Sequence, residues 1–225
     1  MPRSAPSDET PWCLVLPVKR LGEAKSRLIG PEVPPPLRRD LALAFATDTV
    51  TAALAAARVA AVLIVTDDPT AASTLSALGA HIAPDEPAAG LNAAFTFGAH
   101  TAVRILGPEI GVAASAADLP ALRTTELDIA LSRITGDKRH FIADAHAIGT
   151  TMLLAPPGTP LDPRFGGPSR AAHTAAGAVE LPGLDISSLR HDVDTPADLT
   201  AALRLGVGPA TAAVWNNRHR TTSGV

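Results

Sequence analysis

WCLVLPVKRLGEAKSRL, residues 12–28, joins an apolar run directly to a loop with four positive charges. The apolar part, 12–18, is typical of a buried β-strand, and the polar residues after it indicate an exposed loop. The four cations of this loop are Lys19, Arg20, Lys25 and Arg27. A solvated charged helix face is the alternative interpretation. Because α/β proteins hold phosphates after the first strand, the position favours a phosphate-binding loop.

The rest of the first half alternates helices with buried strands. The spacing of apolar residues predicts helices at 37–57, 70–78 and 90–106, and strands at 59–66, 80–84 and 110–116. This alternation is typical of an α/β fold in which a mixed, mainly parallel sheet is flanked by helices. Ligands of such folds gather at the carboxyl ends of the strands, so we expect the functional site there.

After residue 138 the chain changes to short pieces separated by glycine and proline. The β-rich pieces are 139–145, 149–156, 178–183 and 187–194. They predict either a mixed edge of the sheet or a small subdomain. A last helix is expected at 196–206, because Pro196 suits a first helical position and Gly206 suits an end.

The composition indicates one domain with one core. The chain has 225 residues, is 46% hydrophobic and carries a formal charge of -3. We expect a domain at 12–215, a disordered N-terminus at 1–11 and a flexible tail at 216–225. Without a basic patch, binding to nucleic acid or to an anionic membrane is not expected. No apolar stretch approaches the roughly 20 residues of a membrane span, and Cys13 has no partner for an internal disulfide. We therefore expect a cytoplasmic protein.

Carboxylates are concentrated in two segments that follow predicted strands. AADLPAL, 116–122, presents Asp118 before a Leu-Pro turn, where the carboxylate could also cap a helix. HDVDTPADL, 191–199, contains Asp192, Asp194 and Asp198. These carboxylates repel one another unless a cation lies between them, and a hard divalent cation is the expected partner. Asp194 could instead cap the last helix, so Asp192 is preferred as a ligand, although alternation along a strand keeps both.

Five motifs in a fixed order carry a family resemblance. They are LPVKRLGEAKSRL (16–28), GLNAAF (90–95), ADLPAL (117–122), DPRFGGPSRAAH (162–173) and DVDTPADL (192–199). Together they resemble the guanylyltransferases of coenzyme F-420 biosynthesis, which include the 2-phospho-L-lactate type and phosphoenolpyruvate-using actinobacterial relatives. The resemblance implies a single-domain, GT-A-like, Rossmann-related nucleotidyltransferase fold. It also implies transfer of GMP from GTP to one of these phospho-acids, with release of pyrophosphate.

The resemblance also assigns the site residues. The metal, Mg²⁺, is expected on Asp118 and Asp192, with Asp194 retained as a candidate, and Asp118 counts as catalytic. The triphosphate is expected on the basic loop at Lys19, Lys25 and Arg27, and these three residues also count as catalytic. The guanosine side is expected at Leu16, Pro17, Val18, Gly90, Leu91 and Asn92. The acceptor is expected at Thr150, Gly166 and Ser169, with a helix beginning near Ser169, although the glycines and proline of 166–168 also suit a plain surface turn.

Several alternatives stay open at this point. Another small-molecule nucleotidyltransferase, of the molybdopterin or CDP-alcohol type, usually has a glycine-rich loop after the first strand, and this chain has VKRLGEAKSRL instead. A non-catalytic nucleotide-binding module is disfavoured because both acidic segments and the basic loop are present. Relatives commonly have glycine where this chain has Ala117, and His173 could orient its loop or simply pack. A homodimer also stays open as the assembly.

Overall fold

A computed structural model describes residues 10–30, 33–86, 88–182 and 184–218 of the chain. Its sheet has seven strands in the order β3-β2-β1-β4-β6-β5-β7. The strands are β1 Trp12–Pro17, β2 Val59–Val65, β3 His81–Ala83, β4 Gly111–Ser115, β5 His140–Ala143, β6 Thr150–Ala155 and β7 Val179–Glu180. The helices are α1 Pro35–Leu54, α2 Pro69–Ser76, α3 Leu91–Leu106, α4 Thr124–Ser132, α5 Ser169–Ala175, α6 Pro196–Leu205 and α7 Pro209–Asn217.

The sheet is mixed and mainly parallel, as the sequence predicts. The β1 strand pairs in parallel with β2 and with β4, and β3 extends this half of the sheet in parallel. The β6 strand runs antiparallel to both β4 and β5, and β7 pairs in parallel with β5 at the far edge. The β-rich second half is therefore a mixed edge of one sheet and not a separate subdomain.

Helices cover both faces of the sheet. Alternate residues of β1 enter different cores: Leu14 and Leu16 pack with α1, α2 and α4, while Cys13 and Val15 pack with α3. A third cluster joins α1 to α6 and α7, with Phe45 at its centre. Alternation along the strand produces these two buried layers, because successive side chains point to opposite faces.

One predicted β-rich piece is wrong. Within 187–194 the chain first completes a 3₁₀ helix, Leu184–Arg190, and then continues as irregular backbone. Side chains from other elements satisfy its backbone: the Ser188 N–H donates to Glu126 Oε2 at 2.7 Å, and Thr151 Oγ1 donates to the Leu189 carbonyl at 2.6 Å. With these partners the segment needs no neighbouring strand. The alternation argument for Asp192 and Asp194 therefore does not apply.

The last helix is attached to α1 by a buried carboxylate. Asp48 of α1 is 5% exposed and accepts hydrogen bonds from the N–H groups of Ala210 and Thr211, at 3.0 and 2.8 Å. These N–H groups belong to the first turn of α7, where helical backbone donors have no partner within the helix. A side-chain carbon at Gly208 would collide with the Asp48 carboxylate, so the close approach requires glycine there.

The predicted chain ends are described only in part. Residues 1–9 and 219–225 lie outside the described residues. The tail predicted from residue 216 begins too early, because α7 continues to Asn217. At the other end Thr10 is buried, and the Pro11 carbonyl accepts a hydrogen bond from the Gly111 N–H, so ordered contacts begin before residue 12. Among the described helices, none is both long and apolar enough to cross a membrane.

Candidate active site

A cleft of about 620 Å³ lies at the carboxyl ends of β1 and β4. It brings together twelve of the residues that the sequence analysis selects: Pro17, Val18, Lys19, Lys25, Arg27, Leu91, Asp118, Thr150, Gly166, Ser169, Asp192 and Asp194. Leu16 is fully buried in β1, directly before the cleft. The location agrees with the rule that α/β folds bind ligands at strand ends.

Lys25 joins the two acidic segments. Its Nζ donates to Asp118 Oδ2 and, at 3.2 Å, to Asp194 Oδ1. Arg27 Nη2 donates to the other oxygen of Asp194 at 2.5 Å. The backbones of the two segments are also bonded, since the Val193 N–H donates to the Asp118 carbonyl at 3.1 Å. Acids that are distant in sequence therefore converge on one position, opposite a lysine and an arginine.

The basic loop is folded rather than extended. Its buried side chains Leu21 and Leu28 anchor the two ends, and the Leu21 N–H donates to Asp68 Oδ2 at 2.9 Å. Lys25 has a φ of 57°, a backbone conformation that non-glycine residues adopt rarely. The Leu28 N–H donates to the Lys25 carbonyl at 2.9 Å and closes the turn. This turn points the Lys25 side chain inward, where it is only 11% exposed.

Thr195, and not Asp194, caps α6. The Asp198 N–H donates to Thr195 Oγ1 at 3.3 Å, and Asp198 Oδ2 accepts from the Thr195 N–H at 2.8 Å. This reciprocal arrangement is a capping box. The capping role considered for Asp194 is therefore wrong, and its carboxylate faces Lys25 and Arg27 instead.

Burial shifts the pKa values of the charged groups in this cluster. Burial lowers the pKa of Lys25, despite the attraction of Asp194. Burial, followed by repulsion from Asp194, raises the pKa of Asp192 to about 6. Within the described ranges, no three or more His, Cys, Asp or Glu side chains are already arranged around a common metal position, and the Lys25 ammonium lies between Asp118 and Asp194. Three nearby carboxylates are suitable ligands for a hard divalent cation.

A second part of the cleft, the neutral end, contains Thr150, Gly166 and Ser169, and the Asp144 carboxylate borders it at Gly149. Thr150 is the first residue of β6 and Ser169 is the first residue of α5, as expected. Gly166 has a φ of 101°, which favours glycine, and it lies in the segment before α5. His173 of α5 is buried, with Nδ1 at 2.9 Å from Thr150 Oγ1 and Nε2 accepting the Arg164 N–H at 2.9 Å.

The side chain of Asn92 is bonded to this neutral segment. Its Nδ2 donates to the Phe165 carbonyl at 3.0 Å, and its Oδ1 accepts the Phe165 N–H at 2.8 Å. Gly90 directly precedes α3 with a φ of 93°, and Leu91 between them lines the cleft. Asn92 therefore links the start of α3, on the expected guanosine side, to the expected acceptor side.

Sequence reasoning missed Asp144 and His146, which also line the cleft. Asp144 follows β5 and accepts N–H hydrogen bonds from Ile148 at 3.0 Å and Gly149 at 2.8 Å, which shapes the turn before Thr150. His146 Nε2 lies 3.1 Å from Asp198 Oδ1. Asp144, like Asp118, is a carboxylate directly after a buried strand, and this position is the sequence signal that marks it. Ala117, where relatives commonly have glycine, also lines the cleft.

Comparison with known protein sequences gives consistent results. The family described as "Guanylyl transferase CofC like" matches residues 12–211. A relative from Thermomonospora curvata, named phosphoenolpyruvate guanylyltransferase, is 55% identical over 206 residues, covering 92% of this chain and 89% of the relative. A relative of the same name from Streptomyces avermitilis is 56% identical over 202 residues, covering 90% of this chain and 93% of the relative.

Solved structures support the fold. A nucleotidyl transferase from Methanothermobacter superposes with a TM-score of 0.56 at 17% identity, covering 86% of this chain and 96% of the other. A cytidylyltransferase from Leptospira borgpetersenii gives 0.52 at 12% identity, covering 95% of each chain. The nucleotidyltransferase fold that the sequence predicts is confirmed. With a family match that spans nearly all of the described residues, the chain belongs to the CofC-like guanylyl transferase family.

Proposed function

We propose that this protein transfers GMP from GTP to phosphoenolpyruvate, releasing pyrophosphate and forming enolpyruvyl-diphospho-guanosine for coenzyme F-420 biosynthesis. The observation that carries the proposal is a single cleft that is lined both by Asp118, Asp194 and Lys25, which are joined by ion pairs, and by Thr150 and Ser169. The names of the relatives at 55% and 56% identity favour phosphoenolpyruvate over 2-phospho-L-lactate. GTP and phosphoenolpyruvate are metabolites of the cytoplasm, where we expect the enzyme to act.

The reaction joins two polyanions, so the first task of the site is to neutralise charge. Lys25 and Arg27, with Lys19 exposed at the start of the same loop, bind the triphosphate. Lys25 is held by carboxylates in the free protein, and the approach of phosphate oxygens offers it a competing anion. Backbone groups from Leu16 to Val18, together with Gly90, Leu91 and the Asn92 backbone, hold the guanosine.

A divalent cation fits the acidic end. Asp118, Asp192 and Asp194 supply hard oxygen donors, and the pKa of Asp192 is raised by burial and by the neighbouring Asp194 carboxylate. We assign Mg²⁺ to these three residues. When bound, such an ion withdraws charge from phosphoryl oxygens and helps to align the α-phosphate.

The acceptor is held through neutral donors. The Thr150 hydroxyl, the Gly166 N–H and the Ser169 hydroxyl bind its carboxylate and phosphate. A phosphate monoester has a second pKa of about 6 and is largely ionised at neutral pH, so no general base is required. A phosphate oxygen attacks the α-phosphorus of GTP, and the new P–O bond forms. The bond from the α-phosphorus to the bridging oxygen breaks, and pyrophosphate leaves with the electron pair.

The test is turnover by the purified protein with Mg²⁺, each of the four NTPs, and either phosphoenolpyruvate or 2-phospho-L-lactate. We expect pyrophosphate release only with GTP and an acceptor, faster with phosphoenolpyruvate, and a product of the matching mass. The two acceptors differ by little more than a double bond, so some turnover of 2-phospho-L-lactate is expected. Equal rates with CTP, or release that does not depend on an acceptor, would contradict the proposal.

A further inference from the structure

His173 is a buried imidazole with hydrogen-bond partners on both ring nitrogens. His173 is only 1% exposed, and it lies behind the neutral end of the cleft. Nδ1 lies 2.9 Å from the Thr150 hydroxyl oxygen, and Nε2 lies 2.9 Å from the backbone nitrogen of Arg164. One nitrogen therefore faces β6 and the other faces the segment that contains Gly166.

The two partners determine which nitrogen carries the proton. A backbone N–H can only donate, so Nε2 must accept the hydrogen bond from Arg164 and must itself be unprotonated. A neutral imidazole then carries its proton on Nδ1. That N–H points at Thr150 Oγ1, and the threonine oxygen has to accept.

This tautomer controls the direction of the Thr150 hydroxyl. Because the hydroxyl oxygen accepts from Nδ1–H, its own proton cannot point back toward His173. In the described part of the chain, Thr150 Oγ1 has no other protein partner, and Thr150 lines the cleft. The hydroxyl proton is therefore available to a ligand in the cleft, and the residue acts as a donor.

We propose that His173 is the positioning residue of the acceptor site: its Nδ1–H tautomer fixes Thr150 as a hydrogen-bond donor, while Nε2 fixes the backbone that leads to Gly166. The inference rests on the proposed function, in which Thr150, Gly166 and Ser169 hold the anionic groups of the acceptor. An anion accepts hydrogen bonds and cannot donate them, so the site needs donors that are set before the acceptor arrives.

The surroundings hold the imidazole in place. His173 follows Ser169 by four residues on α5, so one helix positions the serine and the histidine on the same face. The Phe165 ring contacts it edge-on at 5.1 Å between centroids, and Phe141 lies 5.8 Å away. Burial lowers the pKa of His173 to about 4, so the ring stays neutral when the enzyme works. The Asn92 bonds to Phe165 extend the same network toward α3.

The kinetic test uses three substitutions that remove different hydrogen-bonding groups of the imidazole. His173→Asn retains an N–H near the Nδ1 position, His173→Gln retains an acceptor near the Nε2 position, and His173→Phe retains only the ring. Losing the bond that orients Thr150 is expected to weaken acceptor binding by about 1.4 kcal/mol, which is tenfold. We expect the KM for phosphoenolpyruvate to rise about tenfold in the Gln and Phe variants and about threefold in the Asn variant. The KM for GTP should change less than about twofold.

A double variant tests whether His173 acts through Thr150. Thr150→Val removes the donor itself, so adding His173→Gln to it should raise the acceptor KM no further. Thermal unfolding of every variant shows whether it is folded at the assay temperature. Additive effects of the two substitutions, or an unchanged acceptor KM in folded His173→Gln, would overturn the inference.

NMR can identify the protonated nitrogen of His173 without an activity assay. In the ¹⁵N-labelled full chain, the imidazole shifts of His173, identified by their loss in the spectrum of His173→Gln, should report a proton on Nδ1. A proton on Nε2 would overturn the inference even if the enzyme is fully active. If the wild type shows Nδ1–H but does not use phosphoenolpyruvate, the proposed acceptor fails while the orientation of Thr150 stands.

Discussion

In the proposed function, both ends of the cleft bind anions, but they do so with opposite chemistry. At one end Lys25 and Arg27 meet Asp118 and Asp194 through ion pairs. At the other end Thr150, whose partner is the uncharged His173, faces the cleft without any ion pair of its own. One end works by charge and the other by orientation.

The difference reflects which elements carry each end. The charged end stands on a loop whose Lys25 has a rare backbone conformation and whose Arg27 side chain is 73% exposed. The neutral end begins a strand and a helix, and the packing of Phe165 supports it. Long charged side chains can follow a triphosphate as it binds, whereas hydroxyls on rigid elements can select only a ligand that already fits.

The charged end should be the more sensitive to a single substitution. Asp118→Asn removes the charge that pairs with Lys25 and binds the proposed cation, so kcat should fall at least about 100-fold. Pyrophosphate release at saturating GTP, phosphoenolpyruvate and Mg²⁺ measures it. Asp40→Asn, on the exposed side of α1, is the matched control and should be unaffected. Near-normal turnover by Asp118→Asn would remove this aspartate from the metal assignment.

Acid should destabilise the neutral end through His173. The pKa of His173 is about 4 in the folded protein, because of burial, against about 6.5 in the unfolded chain. As the pH falls, this histidine is therefore protonated in the unfolded chain before it is protonated in the folded protein. The stability that neutral His173 contributes is full above pH 6.5 and is lost as the pH falls toward 4. Lowering the pH from 7 to 5 should reduce the free energy of unfolding by about 2 kcal/mol through this group.

Urea unfolding at both pH values measures this loss. Because other groups titrate too, the readout is the difference between the wild type and His173→Phe, which lacks the group. An identical pH dependence in the two proteins would show that His173 is protonated as easily in the fold as outside it.

A substitution in the turn before Thr150 should affect the binding of the acceptor and not the binding of the nucleotide. In Gly149→Ala, the added carbon would lie 2.5 Å from Asp144 Oδ2, so this carboxylate must move away from the Ile148 and Gly149 N–H groups that it binds, which loosens the turn before Thr150. We expect the KM for phosphoenolpyruvate to rise about tenfold, equivalent to 1.4 kcal/mol, with the KM for GTP nearly unchanged. Gly30→Ala is the control, since its added carbon makes an ordinary 3.6 Å contact with Pro196. A rise in the KM for GTP alone would assign the turn to the nucleotide instead.

The smallest effect is expected at the exposed arginine. Arg27→Gln loses an ion pair that is largely solvated, and such pairs contribute about 0–1 kcal/mol. The KM for GTP should rise about threefold at low salt, and the difference should shrink in about 0.5 M salt, which screens exposed charges. Steady-state kinetics at two salt concentrations measures it. A large effect that does not depend on salt would place Arg27 in direct, shielded contact with the transferred phosphate.

Local patterns could predict the scaffold and most of the cleft. The apolar runs of β1, β2 and β4 and the spacing in α1 and α3 are local signals, and Asp118 follows from its position after a buried strand. The 3₁₀ helix at Leu184–Arg190 could not be predicted, because its hydrogen-bond partners come from α4 and β6. The role of His173 depends in the same way on Thr150, which is distant along the chain.

The hydrogen bonds between Asp48 and α7 limit where the chain can be shortened or tagged. A protein shortened before Pro209 would leave the buried Asp48 carboxylate without the two N–H donors that it binds now. Hydrogen bonds to a charged group commonly contribute about 1.5–3 kcal/mol, which is a large part of the stability of a whole domain. C-terminal affinity tags and fusion partners therefore belong beyond Asn217, and a shortened version for crystallisation should keep this helix.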